Sequence, residues 1–278
     1  MPGMRLLTLA LVLLTLPAFA ADKLSCYRGE GTFQKQINGF GVAVTKVPMT
    51  EDGASTPLSG CHATVTDAAH KTIFEATDFG MSLALGGDTT LNGDPGVVFE
   101  SYSGGAHCCW TYYFVSLGKQ PGLLARLSNQ QGIGFEKDKD GNLLMRSADG
   151  AFDYFDGLCH ACTPFPMVFF ELKGKSFVDV SQEHVAAYDK QIANARAELK
   201  PDRLAAFLKL TSFDDNTRPQ FTDTIPEVLT IVFAYLYSGR EAQAWQALDQ
   251  MWPAFDHDRI KKLILDTRAK GILSQLGS

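Results

Sequence analysis

Residues 97–117 read VVFESYSGGAHCCWTYYFVSL, and the fold turns on how the two ends of this stretch are read. Residues 97–102 and 111–117 are dense in β-branched and aromatic side chains, and glycine or proline bounds them on the outside. Such residues suit a pleated, half-buried surface, and runs of six or seven are too short for a buried helix. Two strands are therefore expected on either side of the Ser-Gly-Gly-Ala-His-Cys-Cys segment. The same pattern extends outward, to residues 41–45 upstream and to 167–172 and 177–180 downstream. Lys173-Gly174-Lys175 between the last two is a tight hairpin signal. With no helical period between these runs, the sheets should be antiparallel.

The periodicity changes after Ser181. Residues 182–199 are rich in Ala, Glu, Lys and Gln, with Ser181 as the expected N-cap. Pro201 opens a second helix through Leu210, and a strongly apolar third runs from Pro226 to Tyr237, stopped by Ser238-Gly239. Trp245, Leu248 and Trp252 place an apolar stripe on a fourth, ended by Pro253, and Ile260, Leu263, Ile264 and Thr267 place one on a fifth. Short links make the last three antiparallel neighbours. The expected fold is α+β, with an antiparallel β-rich N-terminal part, sandwich or propeller-blade-like, followed by a small C-terminal helical bundle. A structural cap on the β part is the plainer role for that bundle, and a partner-binding module is its rival.

The N-terminus bears on compartment. Arg5, an apolar run over residues 6–16, Pro17 and Ala18-Phe19-Ala20 have the order of a Sec-type signal peptide. The run is shorter than the roughly 20 apolar residues needed to cross a bilayer, and no later segment qualifies. The division expected is therefore a leader at 1–20, a disulfide-linked β-rich domain at 21–180 and a helical domain at 181–278. Loss of Arg5 with the leader takes the formal charge from −6 to −7. An acidic chain without a Lys/Arg run lacks the electrostatic footprint of a nucleic-acid binder.

Six cysteines, Cys26, Cys61, Cys108, Cys109, Cys159 and Cys162, make disulfides the default for an exported chain. Cys26 is expected to pair with Cys61, and the Cys108-Cys109 doublet with Cys159 and Cys162. The latter bridge closes a loop of about 50 residues, for which chain entropy gives about 4 kcal/mol. A vicinal Cys108–Cys109 bond, which needs a distorted peptide, is the rival. His107, Cys108, Cys109, Cys159, His160 and Cys162 together form an alternative zinc or copper ligand set. A Cys-x-x-Cys pair also admits thiol chemistry, although no helix follows it here to lower a thiol pKa. Asp88, Thr90, Asn92 and Asp94 place oxygens at alternate positions around Gly93, a weaker calcium signal. Residues 138–142 repeat it in shorter form.

The Asn92-Gly93-Asp94 turn, the strand after it and the segment from Ser103 to Cys109 together resemble a family of uncharacterised exported bacterial proteins. The turn itself resembles those of FG-GAP and VCBS-type β-propeller repeats. Asp140-Gly141-Asn142, residues 177–181, residues 237–240 and Trp252-Pro253 share in the resemblance, which covers about residues 88–255. It implies a β-rich, blade-like fold and an exported protein, and it brings no activity with it.

No nucleophile elbow, His-Glu-x-x-His helix, phosphate loop or dinucleotide fingerprint is present. Asp149, Asp153 and Asp156 could line a glycosidase cleft, and His62, His70, His184 and His257 are isolated in sequence. The preferred reading is an exported protein, periplasmic or secreted, that is not a catalyst and binds or supports a protein or glycan partner in the cell envelope. No cofactor is expected on it. The alternative is a Zn/Cu-binding or thiol-active protein using the two Cys/His clusters, with Ca at the Asp88–Asp94 turn.

Overall fold

The computed structural model describes residues 24–49, 58–105, 109–213 and 218–277; the expected leader, His107 and Cys108 lie outside the described residues. The β part is built from three consecutive meanders. After β1 (Ser25–Tyr27), β2 (Phe33–Ile37), β3 (Phe40–Met49), β4 (Leu58–Thr66) and β5 (Thr72–Asp78) form the first sheet in sequence order. The second has β6 (Gly80–Leu85), β8 (Asp94–Tyr102), β9 (Trp110–Ser116) and β10 (Gly122–Asn129), with β1 on its outer edge and the two-residue β7 (Thr90–Leu91) paired to β8. The third is β11 (Ile133–Lys137), β12 (Leu143–Ala148), β13 (Met167–Lys173) and β14 (Ser176–Asp179). These strands all pair antiparallel, as expected from the runs of short strands.

The second sheet is the middle layer, buried on both faces. Val97, Phe99 and Val115 pack with Val42, Val44, Val65 and Phe74 of the first sheet. Their immediate neighbours Val98 and Phe114, with Tyr112, turn the other way and pack with Met145, Val168, Phe170 and Phe177 of the third. Side chains alternate across a strand, so a strand with two apolar neighbours needs an unbroken apolar run. That is why residues 97–99 and 111–115 read as continuous rather than alternating. The Cys26–Cys61 disulfide forms as expected, and ties β1 of the middle sheet to β4 of the first.

Among the described residues five helices follow: α1 (Val185–Glu198), α2 (Pro201–Phe207), α3 (Ile225–Tyr237), α4 (Glu241–Met251) and α5 (His257–Arg268). They share one apolar core with the third sheet, running from Leu91 to Ile272, so the helical part covers the sheet's outer face. α3 carries nine buried side chains and packs against α1, α4 and β13. Three details differ from the sequence reading. Ser181 does not cap α1; it is buried, its hydroxyl accepts from the Phe169 N–H at 3.0 Å, and a 3-10 turn over Ser181–His184 precedes the helix. The core line of α4 is Ala244, Leu248 and Met251, with Trp245 at its margin and Trp252 just past its end. α5 leans on the 3-10 turn Gly150–Phe152, and its Arg259 guanidinium pairs with Asp156 in the next turn.

That arginine is shared. Arg259 donates to both oxygens of Asp156 (2.7 and 3.1 Å) and to both of Asp256 (2.5 and 2.8 Å). The two carboxylates are 8% and 5% exposed, so neither is solvated without the arginine. The hydrogen bonds it donates to Asp156, then those to Asp256, hold the guanidinium pKa above its ordinary value. Arg259→Ala should lower unfolding free energy by about 2–3 kcal/mol, below the roughly 3–5 typical of a fully buried pair because the arginine is half-exposed. Urea unfolding would measure it, and a loss under about half a kcal/mol, the surface-pair value, would refute the clamp.

Candidate functional site

An open groove of about 1050 Å³ lies between the third sheet and α1. Its floor follows from strand alternation. Met167, Phe169, Glu171 and Lys173 lie on one face of β13, while Val168 and Phe170 face the middle sheet. Arg146 sits opposite Phe169 and Leu144 opposite Glu171, so the face continues onto β12, and Glu136 extends it to β11. The wall is one stripe of α1 and the turn before it: His184, Ala187, Gln191 and Asn194. Tyr188, Ile192 and Ala195 on the neighbouring stripe anchor the helix in the core. Phe169 fixes the corner, stacked on His184 at 4.3 Å and edge-on to Tyr188 at 5.9 Å.

Charged side chains of both signs share this floor with Leu144, Met167 and Phe169. Arg146 pairs with Glu136 at 3.5 Å and Lys173 with Glu171 at 3.2 Å. Lys137, Lys139 and Lys190 line the groove without an ion pair among the described residues. β11, on the groove's rim, is the outer strand of its sheet. An edge strand leaves one side of its backbone open to pairing, and charged residues such as Glu136 and Lys137 guard it against indiscriminate addition.

Of the expected calcium residues, Asn92 has its side chain engaged by a neighbouring turn. Thr90 pairs with Pro95, and Asn92 (φ 53°) and Gly93 (φ 85°) form the turn of the β7–β8 hairpin. The Asn92 carboxamide donates to the Gly174 carbonyl at 2.7 Å and accepts from its N–H at 3.0 Å. It thus docks one hairpin turn on another, and Asp88 and Thr90 line a smaller cavity of about 270 Å³ beside β11. In the second turn, Asp138 accepts from the N–H groups of Asp140 and Asn142 at 2.8 and 2.7 Å. The Asn142 side chain, with those backbone donors, lowers its pKa. Among the described residues no three His, Cys, Asp or Glu side chains are grouped to hold a metal ion.

The expected bridge between the two cysteine doublets is incorrect. Cys159 and Cys162 are bonded to each other, with Cα atoms 5.0 Å apart. Cys109 is also in a disulfide, and no free cysteine occurs among the described residues. A 3-10 turn over His160–Cys162 draws the ends of Cys-x-x-Cys together. Metal ligation requires thiolates, so Cys109, Cys159 and Cys162 cannot serve in the alternative Zn/Cu set while bonded. Chain entropy assigns about 2 kcal/mol to so short a loop, against about 4 for Cys26–Cys61.

The three aspartates of the supposed cleft go separate ways. Asp149 is fully buried, Asp153 holds His160 Nδ1 at 2.7 Å, and Asp156 pairs with Arg259. His62 meets Thr77 at 2.7 Å, His257 meets the Trp252 carbonyl at 2.7 Å, and His70 lies in a turn at φ 62°. Of these histidines, His184 alone borders the groove. Sequence reading missed the groove, although the alternation at 167, 169, 171 and 173 and the stripe at 184, 187, 191 and 194 were both signals of it.

Fold and site together define an α+β protein of three stacked antiparallel meanders and a helical cover, with a charged groove where the third meander meets the cover. Comparison with family models, curated proteins and solved structures returned no match.

Proposed function

We propose that this is an exported envelope protein, periplasmic or secreted, that binds an extended peptide segment of a partner protein in the groove beside β11. The observation that carries this is the groove itself. It combines a floor of apolar and charged side chains, three lysines without an ion pair among the described residues, and an outer strand whose backbone can pair with an added chain. Main-chain pairing supplies affinity that does not depend on sequence, and the side-chain charges select. Export is supported by the leader-like N-terminus and by the disulfides Cys26–Cys61 and Cys159–Cys162. No helix among the described residues is long and apolar enough to cross a membrane.

An array of short peptides and one of oligosaccharides test the reading side by side. Extended peptides bearing acidic residues should bind with Kd in roughly the micromolar range. The Lys137→Glu/Lys190→Glu variant, altered only at exposed positions, should weaken that binding about tenfold or more, about 1.4 kcal/mol. Binding to the sugars alone would replace the peptide by a glycan, and binding to neither array would overturn the proposal.

A further inference from the structure

We propose that the Cys159–Cys162 disulfide is a thiol–disulfide exchange site that accepts two electrons from a protein or peptide dithiol. This goes beyond groove binding and concerns a different surface. Two observations carry it. The first is accessibility: Cys159 is exposed and Cys162 half-buried, whereas Cys26 and Cys61 are 2% and 0% exposed. Exchange begins with attack on a sulfur, so an exposed bond reacts where a buried one does not.

The second is that the turn is held without its sulfurs. The Cys162 N–H donates to the Cys159 carbonyl at 2.9 Å, and the Thr163 hydroxyl donates to that same carbonyl at 3.0 Å. The Thr163 N–H donates to the His160 carbonyl at 3.4 Å. Between the cysteines, the His160 ring is fixed from below by Asp153 at 2.7 Å, whose side chain is 9% exposed. Opening the disulfide removes none of these bonds, so both thiols stay close enough to close again. A bond that only staples needs no such scaffold.

The exchange balances. A partner thiolate attacks Cys159 Sγ; a partner-sulfur–Cys159 bond forms, and the Cys159–Cys162 bond breaks with its electron pair leaving on Cys162 Sγ, which takes up a proton. The partner's second thiol loses its proton and attacks the partner sulfur of this mixed disulfide, and the electron pair leaves on Cys159 Sγ, which is protonated in turn. The partner dithiol becomes a disulfide, and Cys159 and Cys162 become thiols.

The test mixes the folded, oxidised full chain with a short peptide bearing two reduced cysteines, and maps new thiols by alkylation and mass spectrometry. Peptide disulfide should form about tenfold or more faster than with oxidised glutathione at equal concentration. New thiols should appear at Cys159 and Cys162 while Cys26–Cys61 stays closed. The Cys159→Ser/Cys162→Ser variant should lose the activity; should it fail to fold, the thiol map of the unaltered protein decides alone. Peptide oxidation no faster than with glutathione, or thiols mapping to Cys109 instead, would overturn the assignment.

Discussion

Replacing Asp149 by alanine should lower the unfolding free energy by about 3–5 kcal/mol, the scale for removing one member of a buried charged network. Asp149 is 0% exposed, accepts the Tyr237 hydroxyl at 2.6 Å, and takes the N–H groups of Ala151 and Ile272 at 3.1 Å each. A Cβ at Gly271 would collide with its carboxylate, so the chain before Ile272 is pressed against it. Alanine leaves a hydroxyl and two amides without partners and opens a void between the third sheet, α3 and the C-terminal turn. Burial raises the Asp149 pKa, and the Tyr237 hydrogen bond, those from Ile272 and Ala151, and the Arg268 charge only partly offset it. The sign follows. A carboxyl whose folded pKa exceeds its unfolded one contributes stability that is full below the ordinary carboxylate value and is lost as pH rises through the folded value. A carboxamide at this position cannot ionise, so the stability of the unaltered protein relative to the Asp149→Asn variant should fall across that window. Urea midpoints at a series of pH values would show it; a relative stability that climbs with pH would contradict the assigned sign.

The second large effect belongs to Trp252. It is 1% exposed, its ring meets Phe207 edge-on at 5.2 Å and Phe213 at 6.1 Å, and its indole N–H donates to Asp256 at 2.8 Å. Trp252→Ala should cost about 3–5 kcal/mol, the transfer loss plus the cavity left where α2 and the end of α4 meet. Trp252→Phe keeps much of the contact but drops the donor to Asp256. It should cost about 1–2 kcal/mol, since Arg259 still serves that carboxylate. Thermal unfolding followed by circular dichroism separates the two; equal losses would mean that the lost hydrogen bond to Asp256, rather than packing, sets the cost.

Strand and helix positions were legible because each depends on near neighbours. The runs at 97–102 and 167–172 lie within β8 and β13, Pro201 opens α2, and Pro253 and Ser238-Gly239 mark helix ends where the backbone cannot continue. What stayed hidden depends on distant partners. Asp149 and Tyr237 are 88 residues apart, and the Gln275 carboxamide brackets the backbone of Ser128 from 147 residues away. No local pattern announces such meetings. The groove is of the same kind, since each wall has its own period but nothing in either says that they face. The cysteine pairing failed for the opposite reason: the correct partner was three residues away, and a turn rather than a strand carried it.

The doubly covered middle sheet has a consequence for how this chain can diverge. Neighbouring residues in β8 answer to different company: Val97 and Phe99 to Val65 and Phe74, Val98 to Val168 and Phe170. A volume gained at one position can be compensated only within its own layer. Among relatives of this chain, substitutions at 97 and 99 should therefore track one another and the first meander. Those at 98 should track the third meander, with adjacent positions drifting independently although one peptide bond joins them.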